Sequence, residues 1–240
     1  MEAVQFVLYN ELMSNILLIG KDLPDGIDFA KALLQDENTV FAAESDSSTA
    51  SDDFDDKIST ASWNKSSAIS AHSFLIKAET KLQGLKNVIL YFDADYFTNL
   101  FADGRTTDIA SAIDTMITPF LYITDELLKR ADQKKERLTV AFLLKNQDEE
   151  KTSGIVSIAQ AAFCQLAQNF CKNIASREYL RVFLAKHLTA SDSISSEAQL
   201  AVWMLRGMDS AAETSKQSEK QAATWVKAGA KTGKAFPFFK

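Results

Sequence analysis

Short apolar runs separated by segments of helical period constrain this chain more than any other feature. Segments 15–20 (NILLIG), 39–43 (TVFAA), 87–92 (NVILYF), 138–144 (LTVAFLL) and 179–185 (YLRVFLA) do not alternate apolar with polar residues. A strand with one solvated face alternates, so continuous runs imply strands covered on both faces. Between them, 27–34 (IDFAKALL), 71–82 (AHSFLIKAETKL), 108–134, 157–174 and 196–205 have helical spacing, and 58–63 reads as a weaker strand. Strands that alternate with helices form parallel sheets through crossover connections. The expected fold is α/β: a single domain with a doubly wound parallel sheet in three αβα layers.

The chain has 240 residues and 46% apolar composition, enough for one such domain and incompatible with global disorder. Its first 13 residues read as an extension, in which 4–9 (VQFVLY) suit an extra edge strand or an exchange arm. The domain is placed at 14–208. From 209 the helical pattern decays into a basic, aromatic tail carrying Lys227, Lys231, Lys234 and Lys240, with Phe236-Pro237-Phe238-Phe239 near its end. Pro119 is expected to kink the 108–134 helix, and Gly84 to close the 71–82 helix.

Several function classes are disfavoured at once. No apolar run reaches the length of a transmembrane helix, and the N-terminus carries Glu2 and Glu11 without a basic region, unlike a secretory signal. A net charge of −6 works against nucleic-acid binding. Cys164 and Cys171 are seven residues apart in a helical stretch. That places them about 10 Å apart, too far for a disulfide, so they read as two buried thiols in a reducing cytoplasm. Only eight glycines are present, so glycine-built ligand loops should be scarce.

Three stretches carry a family resemblance by their order and spacing. Residues 78–90 (AETKLQGLKNVIL), 160–166 (QAAFCQL) and 197–205 (EAQLAVWML) resemble the helix–glycine turn–central strand, the start of the active-site helix after its lysine and the helix before the last strand of the short-chain dehydrogenase/reductase family. The resemblance covers roughly 14–208 and implies a Rossmann-like fold. It also implies a dinucleotide at the first strand–helix turn. There the chain reads 19–28 (IGKDLPDGID), with Gly20 and Gly26 at a spacing similar to the family's divergent enoyl-reductase branch. Glu44, after the second strand, stands where a family acid holds the adenosine ribose and would favour NAD. Asp93 stands where the family's N-N-A-G motif follows the fourth strand. Gly20, Gly26, Glu44 and Asp93 are thus the candidate cofactor-binding residues. Asp22, Asp25 and Asp28 crowd the same turn and would repel a pyrophosphate.

The family's catalytic groups have no match. Its lysine position falls on Gln160, and its tyrosine position on Val156 or, with the longer gap, Ser153. Valine has no proton to exchange, and glutamine no charge with which to lower a neighbour's pKa. The substrate-orienting serine falls within 142–145, which holds no hydroxyl, and the asparagine near Met116. The Pro-Gly after the sixth strand is replaced by 185–188 (AKHL), and the last strand has no clear counterpart. No catalytic residue and no metal site is assigned. The resemblance implies a catalytically degenerate member with a binding or structural role and weak or absent dinucleotide binding. The alternative is a divergent NAD(P)-dependent oxidoreductase. Asp93, Asp95, Lys145, Lys186 and His187 lie at strand ends and are candidates for other chemistry, with His187 expected in a solvated loop. The resemblance also implies a homodimer through helices 108–134 and 157–174.

Overall fold

The computed structural model describes residues 15–45, 55–102, 109–146, 152–189 and 192–231. The expected extension, residues 46–54 and the last nine residues lie outside them. Strands β1 (Asn15–Leu23), β2 (Thr39–Glu44), β3 (Ile58–Ala61), β4 (Asn87–Asp93), β5 (Leu138–Asn146), β6 (Leu180–Leu188) and β7 (Trp225–Lys227) form one sheet. Its order is β3-β2-β1-β4-β5-β6-β7, and the pairings are parallel. The order reverses between β1 and β4, which makes that gap the topological switch point.

The continuous apolar runs serve two cores at once. Leu17, Ile19, Phe41, Val88, Leu90, Phe92, Val140 and Phe142 point to one face; Ile16, Leu18, Val40, Ile89, Tyr91, Ala141 and Leu143 point to the other. Successive side chains on a strand alternate faces, so each neighbouring pair divides between the two layers. The first face is covered by α2 (Ala68–Leu82), α5 (Thr118–Lys134) and α6 (Gly154–Lys172), the second by α1 (Ile27–Ala32) and α7 (Glu197–Glu213). A ring cluster of Phe92, Phe120, Phe142 and Phe163 fills the first core, with centroid separations of 4.9 to 6.2 Å.

Three local expectations are corrected, and one short helix is added to them. Pro119 does not kink one long helix: α4 (Ile109–Met116) ends before it, and α5 starts at Thr118 with the proline in its first turn. A missing N–H is harmless there because the first-turn amides have no intrahelical partner. A short helix, α3 (Ala94–Leu100), follows β4 directly and is capped by Asp93, whose Oδ1 accepts from the Tyr96 amide at 3.1 Å. The last strand does have a counterpart. α7 runs to Glu213, α8 (Glu219–Ala222) follows, and β7 pairs Trp225 with Leu184. Three residues are too few to show a period, and Trp225 is held from outside the strand by the Lys186 ammonium, 5.1 Å from its ring centroid. Finally, His187 is not a solvated loop residue. It lies in β6, 3% exposed, with Nδ1 3.3 Å from Asp192 Oδ2. Gly84 does close α2, with φ +118° after a left-handed Gln83.

Candidate functional site

The C-terminal ends of β1, β4 and β5 bring together charges that lie far apart in sequence. β1 pairs Leu18 with Ala42 and resumes at Leu23 with Glu44, so five steps on β1 match two on β2. Gly20 makes this irregularity with φ +89°, and a Cβ there would stand 2.1 Å from the Tyr91 carbonyl oxygen and 2.8 Å from the Phe120 ring. Only glycine fits this close approach. Lys21 follows, and its Nζ reaches across the switch point to Asp93 Oδ2 at 2.8 Å.

Lys145, the neighbour of Asp93 across the β4–β5 ladder, also reaches Asp93 Oδ2, at 3.3 Å. It donates to Glu197 Oε1 at 2.6 Å, and Lys21 lies 3.8 Å from the same oxygen. The Tyr91 hydroxyl completes the group by donating to Glu197 Oε2 at 3.0 Å. Glu197 opens α7, where a carboxylate also favours the helix N-terminus. Two ammonium groups and two carboxylates make a neutral quartet that ties three strands to one helix.

Electrostatics decide what this quartet can do. Burial acts to raise the Asp93 carboxyl, but Lys21 and Lys145 outweigh it and hold the group below its ordinary range. Burial acts to lower the Lys145 ammonium, yet Asp93 and Glu197 raise it above its usual value. Tyr91 is pushed well above its ordinary value by burial and then by Asp93 and Glu197. The Lys21 ammonium lies 5.3 Å from the Tyr91 ring centroid, but burial and the carboxylates dominate. Tyr91 stays protonated and donates to Glu197.

A cleft of about 1280 Å³ opens beside the quartet, lined by Gly20, Lys21, Asp22, Asp25, Glu44, Trp63, Lys65, Asp93, Tyr96 and Asp114 among others. Three of the four candidate cofactor-binding residues, Gly20, Glu44 and Asp93, therefore share one cleft. Glu44 Oε2 accepts from Thr60 Oγ1 at 3.3 Å. Gly26 does not line it. Its missing side chain makes room for the Lys21 carbonyl, 2.6 Å from where a Cβ would stand. The amides of Gly26 and Ile27 donate to the Asp22 and Pro24 carbonyls at 2.8 and 3.0 Å, so the turn uses its own oxygens. α1 is only six residues long.

The positions compared with catalytic residues lie elsewhere. Val156 is buried in the first core, Ser153 precedes α6, and Gln160 Oε1 accepts from Asn146 Nδ2 at 3.1 Å. Among the described residues, no group of three or more His, Cys, Asp or Glu side chains is placed to hold a metal ion. Sequence reasoning missed Lys21, Tyr91 and Glu197 as partners. A tyrosine inside a buried apolar run was the one available signal, since its hydroxyl needs a partner.

No protein-family model matches the chain, and no curated protein matches it by sequence. Solved structures do match its architecture. A short-chain dehydrogenase from Leptospira borgpetersenii serovar Hardjo-bovis, with bound NAD+, is 8% identical with a TM-score of 0.60, over 92% of this chain and 93% of that one. A short-chain dehydrogenase from Streptomyces avermitilis is 13% identical with a TM-score of 0.55, over 73% of this chain. The match spans 65% of the Streptomyces protein's length. Such identities establish architecture, and the chain has the fold of the short-chain dehydrogenases.

Proposed function

We propose that this protein is a catalytically degenerate relative of the short-chain dehydrogenases, with a binding or structural role and weak or absent dinucleotide binding. The observation that carries the reading is the Lys21–Asp93 pair, which spans the switch point at 2.8 Å. Ligands of doubly wound sheets enter at that gap. Here its two walls are bonded to one another, and the pair is reinforced by Lys145 and Glu197. The surroundings of the glycines support the same reading. The space at Gly20 and Gly26 holds the chain's own carbonyls, and the amides of Gly26 and Ile27, at the start of α1, are used within the turn. These residues do not fit a pyrophosphate.

A second copy of the chain is the proposed partner. Ile109, Ile113 and Ile158 are 46%, 44% and 69% exposed on α4 and α6, and Leu121 is 46% exposed on α5. An apolar surface of this kind on adjoining helices supports association. The unpaired thiols Cys164 and Cys171 support a reducing compartment such as the cytoplasm. No helix among the described residues is long and apolar enough to cross a membrane.

The test is a turnover assay with NADH and NADPH over a panel of carbonyl and enoyl substrates, with light scattering on the same sample. The proposal expects no turnover and a dimer mass. Steady oxidation of either cofactor would establish the alternative, a divergent NAD(P)-dependent oxidoreductase, and overturn the degenerate reading.

A further inference from the structure

β7 is the shortest strand among the described residues, and polar contacts rather than packing hold it. β5 and β6 pair over nine residues, whereas β7 meets β6 only at Leu184, Ala185 and Lys186. Residues 225–231 bury little apolar surface. Ala228 is their one core side chain, Trp225 and Val226 are half-buried, and Lys227, Gly229 and Lys231 are exposed. Four contacts stand in for packing. The Lys186 ammonium lies 5.1 Å from the Trp225 ring centroid. The Lys227 ammonium lies 3.0 Å from Asp192 Oδ1, on a fully buried side chain. The Ala228 amide donates to the Lys186 carbonyl at 2.8 Å, and the Trp203 indole N–H to the Ala230 carbonyl at 2.8 Å. Such contacts contribute little net free energy, and a segment with few buried apolar contacts opens before the whole domain does.

The chain just before β7 is pinned more firmly. Arg181, 2% exposed, donates to the Thr214 and Ser215 carbonyls at 2.8 and 2.7 Å. The Gln217 side-chain amide pairs with the Val182 backbone as a strand residue would: it accepts from the N–H at 2.9 Å and donates to the carbonyl at 2.7 Å. α8 starts on a capping box of Ser218 and Gln221, and Ala222 is buried in the first core. The edge of β6 therefore has two covers. Backbone groups of successive strand residues point to opposite neighbours, so those of residues 182, 184 and 186 face away from β5. Gln217 covers Val182, and β7 covers Leu184 and Lys186.

We propose that residues 225–231 form a release strap. The strap opens as one unit while α8, Gln217 and the rest of the sheet stay in place, and it thereby controls access to the β6 edge at Leu184 and Lys186. Bared N–H and C=O groups on a strand edge pair with an extended segment, so opening converts a closed edge into a docking one.

The test is native-state hydrogen exchange on the full chain, read amide by amide by NMR at several urea concentrations below the unfolding transition. The amides of Leu184, Lys186 and Ala228 should share one protection factor, about tenfold or more below those of Val182, β4 and β5. It should barely change with urea, because opening seven residues exposes little surface, whereas protection in β4 and β5 should fall steeply. Lys227→Met takes the ammonium from Asp192 and should lower the shared protection about fivefold. Three results would each overturn the proposal: a urea dependence equal to that of β4 and β5, exchange of Val182 with the group, or an unchanged group in the folded Lys227→Met variant. The wild-type urea series decides the matter by itself if that variant does not fold.

Discussion

Replacing Asp93 with asparagine removes one charge from the quartet and almost nothing else. The side chain is 3% exposed, and the amide oxygen of the substituted side chain can still accept from the Tyr96 amide, so the cap of α3 survives. What is lost is the carboxylate that holds Lys21 at 2.8 Å and Lys145 at 3.3 Å. Two ammonium groups, 14% and 16% exposed, are then left to share Glu197. Removing one partner of a buried ion pair costs about 3–5 kcal/mol. Both lysines retain a little access to water, so the low end applies and the expected loss is about 3 kcal/mol. For a domain of this size that lowers Tm by about 6–12 °C. Urea unfolding with tryptophan fluorescence measures the free energy, and scanning calorimetry the Tm. Asp93→Ala should cost about 1 kcal/mol more, because the cap goes too. Adding Lys145→Met to Asp93→Asn should cost less than the sum of the single changes, with a coupling of about 1–3 kcal/mol. A loss below about 0.5 kcal/mol for Asp93→Asn would refute the reasoning, because it would mean that the switch-point pair contributes as little as a surface salt bridge.

Other consequences follow from neighbouring features. Glycine-to-alanine changes within a helix usually stabilise by about 1 kcal/mol. At Gly207, in α7, a Cβ would stand 2.3 Å from the Phe183 ring, so Gly207→Ala should instead destabilise by about 1–3 kcal/mol in urea unfolding. Burial pushes the Cys171 thiol up to about 12. Its thiolate fraction at pH 8 is then about one in ten thousand, and a thiol reagent should label it only after denaturation. Stability should also fall at both extremes of pH. Asp93 is lowered on folding, so its contribution is complete above its unfolded value of about 4 and is lost as pH falls further. Lys145 and Tyr91 are raised, so their contributions are complete below about pH 10 and are lost as pH climbs through their folded values. A Tm–pH profile should therefore be broad and fall beyond those limits.

The fold was legible because its main signal is repeated. Each apolar run must feed two cores, so residues such as Ile16 and Leu17, or Ala141 and Phe142, are both apolar and the strand shows no alternation. The elements that escaped were those with little sequence of their own. β7 has three residues and takes its place from pairing with β6, and α3 begins on the residue after β4. Pro119 illustrates a positional ambiguity, because the same residue kinks a helix from inside and starts one from its first turn. The candidate site was half legible. Gly20, Glu44 and Asp93 were identifiable from their places at strand ends, and the cleft gathers all three. Their bonding was not identifiable. Tyr91 and Glu197 are 106 residues apart, and Lys21 and Asp93 72 apart, so no spacing rule connects them. His187 failed for a related reason: its partner Asp192 enters from the following loop and covers the end of β6.

In the proposed reading, Lys21 and Asp93 are bonded to one another at the switch point between β1 and β4, and the wall of the cleft they form does not suit a pyrophosphate. Titration of NADH into the wild-type protein, followed by energy transfer from its three tryptophans, addresses this most directly. Trp63 lines the cleft and would report on an occupant. The account predicts no saturable signal up to millimolar NADH. Saturable binding at micromolar concentration would contradict it, since a dinucleotide would then be held by the wall that Lys21 and Asp93 line.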